Sequence, residues 1–372
     1  LKHPNLFFKK LNMKKKSLNA KKITPSNLNF NKILKDNKIL EIYKNFEKNL
    51  ENLENLKNLG KMAVSVSGGA DSLALSFLTS CYKFKNKIKI KPLFYLVDHG
   101  LRNNSNKEAI FVKNLLKSKN LDLKILKWKG KKPNSNLQNL ARKKRYELLF
   151  KECKKSNTKI LLTGHHKEDM YETFFSRLLR GSGTEGLSSF SKIDKVFNFN
   201  NEKIKIIRPL LNLNKKDLVY ISNTVFKVFI KDPSNELDKF QRVRIRKLIS
   251  NLIIEGLDFK KLNLTINNLA STNKAINELV DYNLNKNVTF ILKKKYLINS
   301  NFFLMPEEVI FRSLSVILKN LSKKDYPPRG KKMINLIRDL KNEKHFKATL
   351  GGSIIEKIHN SVSVSKEKTK KH

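Results

Sequence analysis

Apolar residues recur along this chain with two periods, and the exchange between them predicts the architecture. Ile39, Ile42, Phe46, Leu50, Leu53 and Leu56 fall at helical spacing within residues 36–59, a stretch that ends at Gly60. Short continuous apolar runs then alternate with helical ones: strand 62–66, helix 72–82, strand 92–97, helix 106–118, strand 123–128, helix 136–154, strand 160–163 and helix 168–180. Apolar strands separated by helices predict a parallel sheet covered on both faces. From about residue 240 the pattern turns mostly helical, and Pro306-Glu307-Glu308 opens a helix with Ile310, Leu314, Ile317 and Leu321 on one stripe. Tyr326-Pro327-Pro328-Arg329-Gly330 breaks the chain before a small last module, strand-like near 353–364, with a charged tail. The expected fold class is α/β: a Rossmann-like parallel-sheet domain, a mainly helical region and a small C-terminal module. Expected boundaries are 1–30 for a basic arm without fixed structure, 31–250, 251–322 and 323–372.

Composition narrows this picture. A chain of 372 residues has room for two or three domains. Its net charge of +46, from 78 Lys and Arg against 32 Asp and Glu, points to a polyanionic partner, with nucleic acid first. A lysine-, asparagine-, isoleucine- and phenylalanine-rich composition encoded by AT-rich DNA yields the same surplus, so charge alone leaves the partner open. No apolar run reaches the roughly eighteen residues of a membrane span. Two cysteines, Cys81 and Cys153, form neither a disulfide framework nor a Cys-x-x-Cys site, which fits a reducing, cytoplasmic setting. The Lys-rich, acid-free stretch through Lys22 is set aside as a basic arm, or as sequence ahead of a start at Met13.

The chemistry concentrates after strand ends, where ligands sit in such sheets. Val64-Ser65-Val66-Ser67-Gly68-Gly69-Ala70-Asp71-Ser72 runs from a strand into an apolar helix. Gly68 and Gly69 allow a sharp turn that brings backbone N–H groups against an anion, and the helix N-terminus adds its positive end. Ser67 and Ser72 supply hydroxyls, and Asp71 suits a Mg²⁺ bridging phosphates. This cradle has neither the Walker lysine nor the dinucleotide glycine pattern; it looks like the pyrophosphate loop of PP-loop ATPases, which split ATP into AMP and pyrophosphate. Asp98-His99-Gly100 and His165-His166 follow other strands, so one shared crevice is expected. Glu168, Asp169 and Glu172 fall on one helical face, suited to Mg²⁺ or a cationic substrate. Arg142 and Arg145 lie one turn apart, Arg177 and Arg180 precede the Gly181-Ser182-Gly183 loop, and Asp232-Pro233-Ser234-Asn235 leads to Arg242-Val243-Arg244-Ile245-Arg246.

Taken in order, Ser-Gly-Gly-x-Asp-Ser, Val97-Asp98-His99-Gly100-Leu101-Arg102, Asn136-Leu137-Gln138 with Arg142 and Arg145-Tyr146, His165-His166 with Glu172-Thr173, Arg177-Leu178-Leu179-Arg180-Gly181-Ser182-Gly183, Arg208-Pro209-Leu210-Leu211, and the last two segments above closely resemble the tRNA(Ile)-lysidine synthases. These are N-type PP-loop ATPases with an adenine nucleotide alpha hydrolase-like sheet. The resemblance spans about residues 30–255. It implies that ATP adenylates the carbon-2 carbonyl oxygen of the wobble cytidine of tRNA(Ile) with a CAU anticodon, releasing pyrophosphate. The ε-amine of free L-lysine then displaces AMP. On this resemblance Ser67, Gly68, Gly69, Ala70, Asp71 and Ser72 grip the pyrophosphate, with Asp98 and His99 near the nucleotide. Arg145, helped by Arg142, and His165 serve the reacting phosphate. Asp169 and Glu172 hold the lysine ammonium, either of them as general base. Arg180 and Arg244 face tRNA, and Asp71 with Glu168 binds Mg²⁺. The chain departs from the family where Glu168-Asp169 replaces Asp-Asp, where Val243 replaces Asn, and in a shortened C-terminal region. The alternatives are a PP-loop tRNA thiolase, which needs reactive cysteines, and a non-catalytic tRNA-binding protein. Homodimerisation is left open.

Overall fold

In a computed structural model the described residues are 28–51, 60–86, 90–130, 137–190, 193–199, 202–232, 241–291, 295–322, 328 and 330–367. The expected arm, helical positions 52–59, the Pro233-Ser234-Asn235 turn and most of the 326–330 break lie outside them. The chain divides into two compact units, Leu1–Ser176 with Phe190–Glu255, and Arg177–Ser189 with Gly256–His372.

The first unit begins with α1 (Phe30–Ile33) and α2 (Asn37–Glu51). It then alternates as the apolar pattern predicts: β1 (Lys61–Val66), α3 (Ala70–Lys85), β2 (Lys91–Asp98), α4 (Ser105–Lys117), β3 (Leu123–Lys127), α5 (Leu137–Lys155), β4 (Ile160–Leu162) and α6 (Lys167–Leu178). After α7 (Thr184–Ser188), which belongs to the second unit, come β5 (Asp194–Phe199), β6 (Glu202–Ile207), α8 (Lys215–Phe226) and α9 (Gln241–Ile254). The sheet order is β3-β2-β1-β4-β6-β5. All neighbours are parallel except β5, an antiparallel edge strand paired with β6. The order reverses between β1 and β4, so the loops after these two strands open into one crevice. Helix α3 explains why that crevice is fixed in place. Leu73, Phe77 and Leu78 are fully buried, each contributing about 1.5–3 kcal/mol by leaving water. Its buried hydroxyls on Ser76, Thr79 and Ser80 bond to carbonyls one turn back, at 2.8 Å each, so no polar group is left unmatched by that burial.

The second unit holds α7, α10 (Phe259–Asn287), β7 (Val288–Ile291), β8 (Lys295–Ile298), a 3₁₀ turn at Ser300–Leu304, α11 (Glu307–Ser322), α12 (Gly330–Asn342), β9 (His345–Leu350), β10 (Ser353–Ile358) and β11 (Ser361–Lys366). Its strands form an antiparallel sheet in the order β7-β8-β11-β10-β9. One core joins Phe302, Ile310, Leu314, Met333, Leu340, Ile355 and Val364. The helical region and the C-terminal module, expected to part at 322/323, therefore share a single interior. The β7–β8 hairpin comes before that point, inside the stretch expected to be helical.

Candidate active site

The loop after β1 is shaped by Gly68, whose φ of +85° suits glycine and whose position would bring a Cβ within 2.5 Å of Val112 Cγ2. The Gly68 carbonyl accepts the Ile230 N–H at 2.9 Å. Ser72 closes the loop from inside. Its Oγ accepts the N–H groups of Ser67 (3.0 Å) and Gly68 (3.1 Å) and donates to the Gly69 carbonyl (2.9 Å). Gly69 is the extended N-cap of α3 and offers no side chain to its first turn, where Asp71 stands. This leaves the helix N-terminus facing the crevice as an anion site. Gly164, after β4, lies so close that a Cβ there would sit 3.3 Å from the Asp71 backbone.

Thr163, Gly164 and His165 line a cavity of about 130 Å³ opposite Ser67, Asp71 and Ser72, with Arg145 completing the wall. A second cavity of about 260 Å³ opens beside Asp98, His99, Leu101 and Ala109. Ser65, Ser67 and Arg145 line both. Asp98 is buried and accepts the Gly100 N–H at 2.9 Å, and His99 stands edge-on to Trp128. Arg145 and Arg142 each lie over the Tyr146 ring, and burial together with Arg142 and Arg242 pulls Arg145 below its ordinary value. His165 shares a hydrogen bond of 2.9 Å with Thr163 and packs edge-on against Phe190, over which Arg208 is stacked. Burial, reinforced by three arginines, pushes its imidazole down to about 3, so it is neutral at physiological pH.

Around His166 the charges reverse. Its Nδ1 lies 2.9 Å from Glu168, and its Nε2 lies 3.6 Å from Asp169 and 3.7 Å from Asp71. Burial opposes a charge on this ring, but the three carboxylates outweigh burial and raise it. Asp169 also accepts the His166 N–H at 3.1 Å, and despite burial its carboxyl is held below the usual range by the His166 charge and that hydrogen bond. Glu172 goes the other way. It is 5% exposed, Arg246 Nε donates to one oxygen at 2.5 Å, and the other oxygen is buried without a partner among the described residues. Burial raises its proton affinity, with Arg246 opposing.

The three acids expected on one face therefore divide. Asp169 and Glu172 are close enough for Asp169 to raise Glu172, whereas both oxygens of Glu168 accept the Lys215 N–H, at 3.0 and 3.1 Å. Glu168, expected as a Mg²⁺ ligand, ties α6 to the start of α8. Among the described residues no three His, Cys, Asp or Glu side chains are grouped to hold a metal. Magnesium needs only one or two carboxylates when phosphates supply the rest, and Asp71, at the cradle's edge and 25% exposed, fits that demand. In α9, Arg244 lies exposed on a different face from Arg246, and Val243 is buried. Arg180 is exposed in the segment of the second unit. Sequence reasoning missed Lys215, and it gave His166 and Arg246 no role beyond their places in the His165-His166 pair and the Arg-x-Arg-x-Arg run.

A phosphate cradle at the switch point of a parallel sheet, with an arginine-lined wall beside it, defines a PP-loop enzyme that uses ATP. Residues 42–253 match the family model of the PP-loop domain. The tRNA(Ile)-lysidine synthase of Wolbachia pipientis wMel is 34% identical over 315 residues, covering 83% of this chain and 71% of that protein. That of Rickettsia felis is 32% identical over 340 residues, covering 89% and 75%. The solved structure of the U34-tRNA thiolase NcsA from Methanococcus maripaludis with its 4Fe–4S cluster aligns at 17% identity and a TM-score of 0.49, over 59% of this chain and 74% of its own. The chain belongs to the tRNA(Ile)-lysidine synthase family, which are ligases. No helix among the described residues is long and apolar enough to cross a membrane.

Proposed function

We propose that this enzyme joins the ε-amine of free L-lysine to carbon 2 of the wobble cytidine of tRNA(Ile) with a CAU anticodon. ATP is split to AMP and pyrophosphate, and the work takes place in the cytoplasm. The observation that carries this reading is the pair of cavities meeting at Ser65, Ser67 and Arg145. A nucleoside in the larger cavity, beside Asp98 and His99, brings its phosphates to the loop of Ser67, Gly68, Gly69 and Ala70. Its α-phosphate then faces the smaller one. A ring carbonyl oxygen leaves poorly until it carries AMP, so the first half-reaction is attack of that oxygen on the α-phosphate. Pyrophosphate leaves as the new phosphorus–oxygen bond forms. Arg145, with no acid pairing it among the described residues, stabilises the charge that builds there. Neutral His165 hydrogen-bonds without adding a second positive charge. Asp71 would hold Mg²⁺, which supplies charge neutralisation to the departing pyrophosphate.

In the second half-reaction the lysine amine attacks carbon 2 and AMP leaves with the carbon–oxygen bond's electrons. The amine must first lose a proton. Asp169, held ionised by His166, anchors the ammonium, and Glu172, with its raised proton affinity and unpartnered oxygen, is the better acceptor. Arg142, Arg180 and Arg244 contribute positive charge toward tRNA. Sulfur transfer is disfavoured because Cys81 and Cys153 are buried, and burial pushes the Cys153 thiol up to about 12. The test is incorporation of labelled lysine into isoleucine tRNA (CAU) transcript with ATP and Mg²⁺. Label that requires ATP and Asp71, and is absent from elongator methionine tRNA, is expected; tRNA binding without label would refute the reading.

A further inference from the structure

Asp71 is engaged before any nucleotide arrives. Both of its oxygens accept from Lys215 Nζ, each at 2.6 Å, and His166 Nε2 stands 3.7 Å away. The carboxylate that fits a phosphate-bridging cation is therefore neutralised by a cation of the chain itself. Lys215 is held there by its own backbone. It opens α8 after Asn214, an extended N-cap whose side chain caps no N–H of the helix, and its N–H is gripped by both oxygens of Glu168. Helix α8 is in turn fixed to α3, because the buried Ser222 hydroxyl donates to the Ala70 carbonyl at 2.7 Å. Two helix N-termini and one ammonium thus converge beside the loop of residues 67–72. The Lys215 side chain is 45% exposed, and an ion pair that open adds little to stability, so holding the fold together does not account for it. A lysine is a flexible point charge on a long stem, suited to exchanging one anion for another.

The geometry points to Lys215 as a phosphate-binding residue that exchanges partners. It covers Asp71 in the nucleotide-free enzyme and moves to the pyrophosphate portion of ATP when the cation accompanying ATP takes Asp71. Asp71 thus keeps a cationic partner between turnovers. This function of Lys215 rests on the ATP reading above. Glu168 acquires a role in the same exchange, because its grip on the start of α8 sets where the ammonium can reach.

The protein and its Lys215→Met and Lys215→Arg variants would be titrated with 32P-labelled pyrophosphate in saturating Mg²⁺. Nucleotide-free protein would be titrated with Mn²⁺, read by electron paramagnetic resonance. Losing one charge-assisted contact in Lys215→Met is expected to weaken pyrophosphate binding about tenfold or more. Lys215→Arg stays within about threefold, since the charge survives. The Met variant binds Mn²⁺ more tightly than wild type, because Asp71 is uncovered. Should the Met variant fail to fold, reductive methylation of Lys215 in the wild type, read by mass spectrometry, makes the same test: Mg²⁺ with pyrophosphate protects the amine. Unchanged pyrophosphate affinity in a folded Met variant, or an unprotected amine, overturns the exchange. A wild type that binds neither pyrophosphate nor ATP overturns the ATP reading itself.

Discussion

Each unit contains a buried polar cluster, and the two are finished differently. In the second unit the Arg312 side chain, 8% exposed, meets Asn273 (2.6 Å), Asn277 (3.1 Å), Thr184 (2.8 Å) and Glu308 (2.7 Å). Each of its three guanidinium nitrogens finds an acceptor on α7, α10 or α11, and no buried side-chain polar atom of the cluster lacks a partner among the described residues. In the first unit, among the described residues, Glu172 keeps a buried oxygen without a partner and Arg145 has no acid pairing it, while His165 is held neutral. Buried polar groups are normally satisfied, so a cluster left incomplete marks where a substrate supplies the missing partners. A closed cluster suits holding helices, and an open one suits the chemistry proposed above.

The largest expected effect breaks the open cluster. Arg145→Ala removes the guanidinium shared by both cavities, and single-turnover lysine ligation should slow by about 10²–10³-fold, the loss seen when one donor to a charged transition state is deleted. Melting temperature should hardly move, because no described hydrogen bond or ion pair is lost. Unchanged turnover would remove Arg145 from the mechanism. Arg312→Ala inverts the pattern. It strands the acceptors of Asn273, Asn277 and Thr184, and α7, α10 and α11 should lose about 3 kcal/mol of protection in hydrogen exchange. Pyrophosphate affinity of the other unit should be retained. Full protection in that variant would show that the closed cluster holds nothing.

The two clusters also differ in how far the sequence revealed them. Continuous apolar runs such as Met62–Val66 and Ile160–Leu162 state a buried parallel strand, and a glycine pair at a strand end states a tight turn, so the crevice was readable. Asp71, His165, Asp169 and Glu172 were placed near that crevice from their positions after strand ends, whereas a role for Arg145 came only with the family resemblance. The antiparallel edge strand Asp194–Phe199 was not readable, because alternating polar and half-buried residues beside one neighbour leave a weak pattern. The four-residue strands Val288–Ile291 and Lys295–Ile298, one of them reached from a 29-residue helix, were lost for the same reason. Lys215 pairs with a residue 144 positions away and Arg312 with one 128 away. No local periodicity encodes such pairs. Only the fold brings them together.

A smaller change sharpens the assignment of the two acids. Glu172→Gln keeps the shape and the Arg246 neighbour but discards the proton acceptor, and kcat for lysine ligation should fall by about 10²-fold with the KM for lysine little changed. ATP affinity should stay put. Burial raises the Glu172 carboxyl while Asp169 is held low, so the acid limb of kcat/KM for lysine belongs to Glu172 and begins above the ordinary glutamate value of about 4.3. The Gln variant's residual activity should lack that limb. Persistence of the limb would transfer the titration to another group.

The smallest effect is read in stability. An unfolded imidazole titrates near 6.5, whereas burial and the surrounding arginines keep His165 neutral down to about 3. Between those values the unfolded chain binds a proton that the folded chain refuses, so this residue makes stability fall as pH falls through the window. One such proton changes the slope by at most about 1.4 kcal/mol per pH unit. His165→Gln can still bond Thr163 and does not titrate, so its stability should decline less steeply from pH 6.5 toward 3. The chain's one tryptophan, Trp128, lies in the first unit, and its fluorescence in urea titrations at stepped pH reports that unit. Parallel slopes for variant and wild type would mean that the ring is already charged in the fold. His165 would then carry a positive charge in the reacting cavity, beside Arg145, and the open cluster would lose its neutral hydrogen-bonding member.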